Sequence, residues 1–278
     1  MLTSTVIRLR ARQDGRLPNA MGEYAHAAFL ALINGIAPDL AKALHDAGTR
    51  QPYAISPLIG GKRDKRGVRV WSGRGYWMRF TILSPALYSV FSRYFAESTS
   101  FDLNLMLGNA KFIIEEVTTS RTGNWSGYTT FAEILSSASS KPVISMQFVS
   151  LTAFSIGEVD SSGPRFAIFP EPTLVFDSLL RRWNQFADQP LGDPQKWQKW
   201  VSNHIVVRRY RTKSALWQFE HHPQIGFVGD CTYEIKGNYP SETRELNALA
   251  DFAFYSGVGY KTTMGMGQCR RMRDKGNR

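Results

Sequence analysis

The chain has 278 residues, 43% hydrophobic and 21% charged, with 34 Lys and Arg against 23 Asp and Glu, a net charge of +11. That length and apolar content suffice for one large or two ordinary domains with real cores, without a disulfide or metal framework. The two cysteines, Cys231 and Cys269, form no Cys/His cluster of zinc-site spacing, so no metal and no cofactor are expected, and so few thiols fit a reducing compartment. The positive charge points to a polyanionic partner, either nucleic acid or an anionic membrane surface. The N-terminal run alternates polar and apolar residues, and the most apolar stretch, Tyr24 to Ile36, carries His26 and Asn34 and is too short to cross a bilayer. A soluble, cytoplasmic protein without a membrane partner is the expectation.

In chain order, Thr5 to Arg10 reads as a strand. A helical stretch runs from Glu23 to Ala47, broken near Gly35-Ile36-Ala37-Pro38 because proline suits a first helical turn, and stopped by Gly48. Tyr53–Leu58, Val68–Trp71 and Tyr76–Leu83 read as strands, Pro85–Tyr94 as a helix and Ala110–Thr118 as a strand. Residues 1–120 thus follow a β-α-β-β-α-β order. Residues 121–140, rich in Ser, Thr and Gly, read as a linker. Residues 141–278 repeat the order. A strand at Pro142–Phe148 leads to a helix at Thr173–Phe186, whose apolar face carries Leu174, Phe176, Leu179, Leu180 and Trp183. A short helix at Pro194–Asn203, strands near Ile205–Phe219 and Gly226–Ile235, a helix from Ser241 and a last strand through Arg270, Arg271 and Arg273 complete the half. The expected fold is α+β, two tandem ferredoxin-like domains, a topology shared with RNA-recognition modules whose open sheet meets RNA.

Between the last helix and last strand lies Gly257-Val258-Gly259-Tyr260-Lys261-Thr262-Thr263-Met264-Gly265-Met266-Gly267. Two GxG pairs flank a lysine and two threonines, so backbone N–H groups, hydroxyls and a cation converge, as at a phosphate site. The same glycines also suit a tight helix-to-strand connection. The Walker order GxxxxGK[ST] is absent, and the loop does not open a helix as a Rossmann fingerprint does, which disfavours a nucleotide-binding enzyme. His45, in Leu44-His45-Asp46, falls at a helix C-terminus, where the dipole and Asp46 both favour the imidazolium. It fits either a simple helix-end cation or a proton donor at a phosphate. His26 reads as structural, and His204, His221 and His222 lack metal-motif spacing. Three basic groups, Lys62-Arg63-Asp64-Lys65-Arg66, Arg208-Arg209-Tyr210-Arg211-Thr212-Lys213 and Arg270-Arg271-Met272-Arg273, offer phosphate contacts. The scattered tryptophans read as core.

These parts, in this order, resemble the family of metal-independent endoribonucleases that process CRISPR repeat RNA. The resemblance is carried by the glycine loop from Ser256 to Gly267, by Ala43-Leu44-His45-Asp46 followed by Tyr53-Ala54-Ile55-Ser56-Pro57-Leu58, and by Phe169-Pro170-Glu171-Pro172 followed by Phe176 and Trp183. It covers nearly the whole chain. It implies attack of a ribose 2′-hydroxyl on the adjacent phosphate, giving a 2′,3′-cyclic phosphate and a 5′-hydroxyl. His45 falls on the family's histidine and is implied as general base or acid. Arg50 and then Lys42 are candidates to stabilise charge on the phosphate. Some members add a tyrosine on the first helix and a lysine after the histidine; those positions hold Ile33 and Gln51 here, and Tyr24 is a candidate substitute for the tyrosine. The glycine loop residues Gly257, Gly259, Lys261, Thr262, Thr263, Gly265 and Gly267, with Lys62, Arg63, Arg208, Arg209, Arg211, Arg270 and Arg271, are the expected RNA-binding set. The implied partners are precursor and mature CRISPR RNA, and other effector-complex subunits. The alternative is a non-catalytic RNA-binding or scaffolding subunit of the same fold.

Overall fold

The computed structural model describes residues 1–18, 21–46, 50–64, 66–97, 103–159, 163–219 and 222–272. Ala47, Gly48, Lys65, His221 and Arg273, all named above, lie outside the described residues. The chain divides into two compact units: Met1–Thr129 with residues 217–224 and 263–265, and the remainder.

In the first unit the elements are β1 (Leu2–Ala11), β2 (Gly15–Leu17), α1 (Met21–Asn34), α2 (Pro38–Asp46), β3 (Tyr53–Ile55), β4 (Lys62–Asp64), β5 (Gly67–Val70), β6 (Gly75–Ile82), α3 (Pro85–Glu97), β7 (Asn104–Leu107), β8 (Ala110–Thr118) and β9 (Gly127–Thr129). The main sheet runs β3-β6-β1-β8-β7, with antiparallel pairing throughout and β9 paired to the start of β1. Its four principal strands carry the split β-α-β order of a ferredoxin-like fold. Alternation explains the core: Ile7, Leu9, Met78, Phe80, Ile82 and Phe112 are buried on one face. They pack with Ala25, Phe29, Leu32 and Ile33, which recur along one side of α1. Ile33, at the family's tyrosine position, is therefore core.

The strand read at Val68–Trp71 corresponds to β5 and does not join the main sheet. It pairs with β2 and β4 in a separate three-stranded sheet, order β2-β5-β4. The first helical stretch is broken where expected, into α1 and α2: Pro38 opens α2 and the Ala37 N–H bonds back to the Ile33 carbonyl at 2.8 Å.

The second unit holds α4 (Phe131–Ser137), β10 (Val143–Thr152), β11 (Phe154–Val159), β12 (Gly163–Ala167), α5 (Pro172–Phe186), α6 (Pro194–His204), β13 (Ile205–Gln218), β14 (Pro223–Ile235), α7 (Pro240–Ser256) and β15 (Cys269–Arg271); residues 217–224 at the β13–β14 tip count with the first unit. Its sheet, β13-β14-β10-β15, repeats the ferredoxin-like strand order. The 121–140 stretch is more ordered than a linker: it holds β9 and α4. A capping box starts α4, with the Glu133 N–H donating to Thr130 Oγ1 at 3.0 Å and the Thr130 N–H donating to Glu133 Oε2 at 3.0 Å. Helix α7 starts at Pro240 without a side-chain cap, one residue before the expected Ser241. Among the described residues no helix is long and apolar enough to cross a membrane.

Candidate active site

His45 stands on the last turn of α2, its side chain 72% exposed and its Nδ1 3.0 Å from Asp46 Oδ1. Leu44 and Ala41 bury the opposite face of this short helix. Lys42, three residues earlier, shares the exposed face with His45. Arg50 is exposed just before β3.

The structure adds a residue that the sequence reading set aside as structural. His26 sits half-buried on α1, with Nε2 2.7 Å from the Tyr53 hydroxyl. Burial pushes its imidazole below the ordinary histidine value, and the nearby charge of His45 pushes it further. Burial also raises the Tyr53 phenol well above its usual range, so Tyr53 stays protonated. A histidine on an amphipathic helix carries no sequence signal by itself; only its facing residue, from a strand twenty-seven positions later, marks it.

Tyr24, the suggested substitute for the missing tyrosine, is not at this place. It lies about 200° around the helix from His26, and its ring packs 3.4 Å from where Gly108 would carry a Cβ. That space is open only because residue 108, in the β7–β8 turn, is glycine with φ +57°.

The glycine loop is less open than a phosphate cradle requires. Gly257, Gly265 and Gly267 are buried, as are Val258 and Met266. Its N–H groups already have protein acceptors: Gly259 donates to Ser178 Oγ at 2.9 Å, Tyr260 to the Ala153 carbonyl at 2.9 Å and Gly267 to the Leu151 carbonyl at 2.8 Å. Thr262 is buried and its Oγ1 accepts from the Arg182 guanidinium at 2.9 Å. Ser178 and Arg182, one turn apart on α5, together hold the loop. The half-exposed loop residues are Gly259, Tyr260, Lys261, Thr263 and Met264. Lys261 has φ 49°, the one positive φ outside glycine among the described residues, a local strain at the loop's apex. In the first unit, Met264 approaches α1 so closely that its carbonyl oxygen lies 2.0 Å from an ideal Cβ on Gly22. Met264 therefore abuts the helix that carries His26.

The basic groups differ in availability. Arg208, Arg209 and Arg211 are exposed on β13, at the edge of the second sheet. Arg211 pairs with Asp230 at 2.8 Å and Arg208 lies 3.9 Å from Glu234, surface contacts that a phosphate can exchange for. Lys62 and Arg63 are exposed on β4, Arg63 stacked 5.0 Å from the Trp217 ring centroid. Arg270 and Arg271 are half-buried and engaged, with Gln147 at 3.0 Å and Asp251 at 3.4 Å, which makes them structural ties more than free cations. A cleft of about 270 Å³ lies between Val6, Arg8, Trp77 and Thr118 and the 123–126 segment, and none of the expected site residues lines it. Among the described residues no three His, Cys, Asp or Glu side chains gather at one place.

Two ferredoxin-like units, with a histidine pair in the first and a buried glycine loop closing the second, define a tandem ferredoxin-like protein. Residues 1–136 match the CRISPR Cas6 N-terminal domain and residues 146–269 match CRISPR-associated endoribonuclease Cas6. The chain belongs to the Cas6 family. It is 25% identical over 135 residues to the Cas6 endoribonuclease of Streptococcus thermophilus, covering 49% of this chain and 53% of that protein. It is 28% identical over 152 residues to that of Mycobacterium tuberculosis, covering 55% and 46%. The chain spans about half the length of these curated relatives. A solved Cas6 product complex superimposes with a TM-score of 0.82 at 25% identity, over 98% of this chain and 99% of that one.

Proposed function

We propose that this chain is an endoribonuclease that cuts precursor CRISPR RNA within its repeat, by metal-independent attack of the 2′-hydroxyl on the adjacent phosphate. The observation that carries the reading is His45, presented to solvent at the end of α2 beside Asp46 in a chain whose two halves match the Cas6 endoribonuclease family. In-line transesterification needs a proton taken from the 2′-hydroxyl and a proton given to the departing 5′-oxygen. His45 is the group that exchanges a proton with the RNA. Burial holds His26 below its ordinary value and so favours its neutral form. Lys42, on the same face of α2, and Arg50 supply positive charge for the phosphate as it becomes more negative. A solved relative in complex with its product supports retention of the cleaved 3′ hairpin, which the reading extends to retention within an effector complex.

The test is cleavage of the host's repeat RNA in EDTA, beside the same RNA with a 2′-deoxy nucleotide at the cut. Cleavage in EDTA that stops on the deoxy substrate and leaves a cyclic phosphate is the expected result. Cleavage that needs a divalent ion, or that proceeds on the deoxy substrate, overturns the mechanism. Tight binding without cleavage selects a non-catalytic RNA-binding subunit.

A further inference from the structure

The small sheet β2-β5-β4 was not anticipated from the sequence, and its two faces differ sharply. One face is apolar and buried: Leu17, Val68 and Val70 are at most 3% exposed. The other is exposed and cationic. Arg16 on β2 is in register with Arg69 on β5, and Arg69 is in register with Lys62 on β4. Three cations therefore stand side by side across the sheet. Like charges directly opposite destabilise an antiparallel pair, so the Arg69–Lys62 pairing works against the sheet's own stability.

The carboxylates close by offset the row only at one end, leaving Arg69 and Lys62 without a carboxylate of their own among the ion pairs of the described residues. Asp64 is paired with Arg16 and accepts the Arg66 N–H at 2.7 Å. Asp14 accepts the Ser72 N–H at 2.7 Å. Beside the row, on the same face by strand alternation, stands Trp71. Its indole is half-buried, with the Arg69 and Arg74 guanidinium carbons 5.3 and 4.9 Å from the ring centroid. The turn that carries it is braced: the Trp71 N–H donates to the Tyr76 hydroxyl at 2.7 Å, and the Gly73 N–H to the Ala11 carbonyl at 3.2 Å. A half-buried indole within cation–π reach of two guanidinium groups, next to a row of cations one sheet spacing apart, matches a chain of alternating anions and flat rings, a base displacing a guanidinium from the ring face as its phosphate takes up that cation. A purely anionic surface would use the cations and leave the indole without a role.

We infer that this outer face binds a single-stranded RNA segment, with phosphates on the Arg16–Arg69–Lys62 row and a base stacked at Trp71. The inference rests on the repeat-RNA reading above and extends it from the cleavage site to the unpaired nucleotides that flank a repeat hairpin. Base stacking on an aromatic side chain tolerates any base, so this contact adds affinity and not sequence selection.

The experiment measures binding of the full chain to three RNAs: the bare repeat hairpin, the hairpin with about eight unpaired flanking nucleotides on either side, a length within the usual site size, and the flanked hairpin with abasic flanks. Wild type, Trp71→Ala and Arg69→Gln are compared. The flank is expected to tighten wild-type binding, and Trp71→Ala to remove about tenfold of affinity for the flanked RNA only. Arg69→Gln, which relieves the like-charge row, is expected to keep the fold and to lower the salt slope for flanked RNA by about 0.7. Equal wild-type affinity for bare and flanked hairpins, a full gain from abasic flanks, or variants that retain the whole gain each overturn the inference alone. A wild type that neither binds nor cuts the bare hairpin refutes the function itself, and this inference with it.

Discussion

Replacing Gly267 with alanine separates a packed loop from an open one. Gly267 has φ +70°, and an ideal Cβ there lies 2.0 Å from the Val258 carbonyl oxygen and 3.1 Å from Thr262 Cγ2. Gly163, in the same unit, has φ +84° and nothing within 4 Å of its Cβ position. Both substitutions force an L-residue into left-handed backbone, at about 1–2 kcal/mol each. Only Gly267→Ala adds the overlap with a backbone carbonyl, about 1–3 kcal/mol for a local shift. It also strains two bonds across the loop, Val258 N–H to Gly267 O at 2.9 Å and Gly267 N–H to Leu151 O at 2.8 Å. The expected loss is about 2–5 kcal/mol for Gly267→Ala against about 1–2 for Gly163→Ala, out of a typical stability of about 5–15 kcal/mol. Urea denaturation followed by far-ultraviolet circular dichroism reads this as a midpoint about 1–2 M lower for Gly267→Ala. Equal midpoints for the two variants refute the account of the loop as a packed element whose glycines serve space as well as backbone conformation.

Other expectations follow from the same geometry. Burial, then the charge of His45, holds His26 below its usual value of 6.5, so the unfolded chain binds the proton more readily than the folded one. Its contribution to stability is therefore full above that value and is lost as pH falls through the folded-state value. His26→Asn flattens the decline in urea midpoint between about pH 7.5 and about pH 5; an unchanged slope contradicts the burial argument. Ser178→Ala leaves the Gly259 N–H without its acceptor and destabilises by about 1–3 kcal/mol, together with faster hydrogen exchange at Gly259; unaltered exchange there means α5 does not hold the loop. Thr130→Ala removes the capping box of α4, at about 1 kcal/mol, and lowers the thermal midpoint by a few degrees; an unmoved midpoint shows that packing alone sets the start of α4.

The sequence revealed the two units because their principal strands and helices carry strong periodicity. Ile7 and Leu9 on β1, and Leu179, Leu180 and Trp183 on α5, are core residues as their spacing implies, while Val6 alternates to the other face and is half-buried. Pro38 divided the first helical stretch as proline chemistry requires. The three-residue strands β2 and β4 escaped because Gly-Arg-Leu and Lys-Arg-Asp have too few apolar positions to show alternation, and only pairing with β5 makes them strands. Helix α4 hid in a Ser/Thr-rich stretch whose cap, Thr130 with Glu133, is a two-residue signal. At the site, His45 was legible from its place at a helix end, while His26 needed Tyr53 and His45 brought to it by the fold. The glycine loop was legible as glycine-rich but not as filled, since the acceptors of its N–H groups come from Leu151, Ala153 and Ser178, distant in sequence.

The central claim is that His45 exchanges a proton with the scissile phosphodiester. Single-turnover cleavage of repeat RNA by His45→Ala, with RNA affinity measured on the same preparation, tests it most directly. The account predicts unchanged affinity and a cleavage rate lower by about 10²–10⁴, the usual contribution of a general acid or base. A variant that binds and cleaves at the wild-type rate contradicts it.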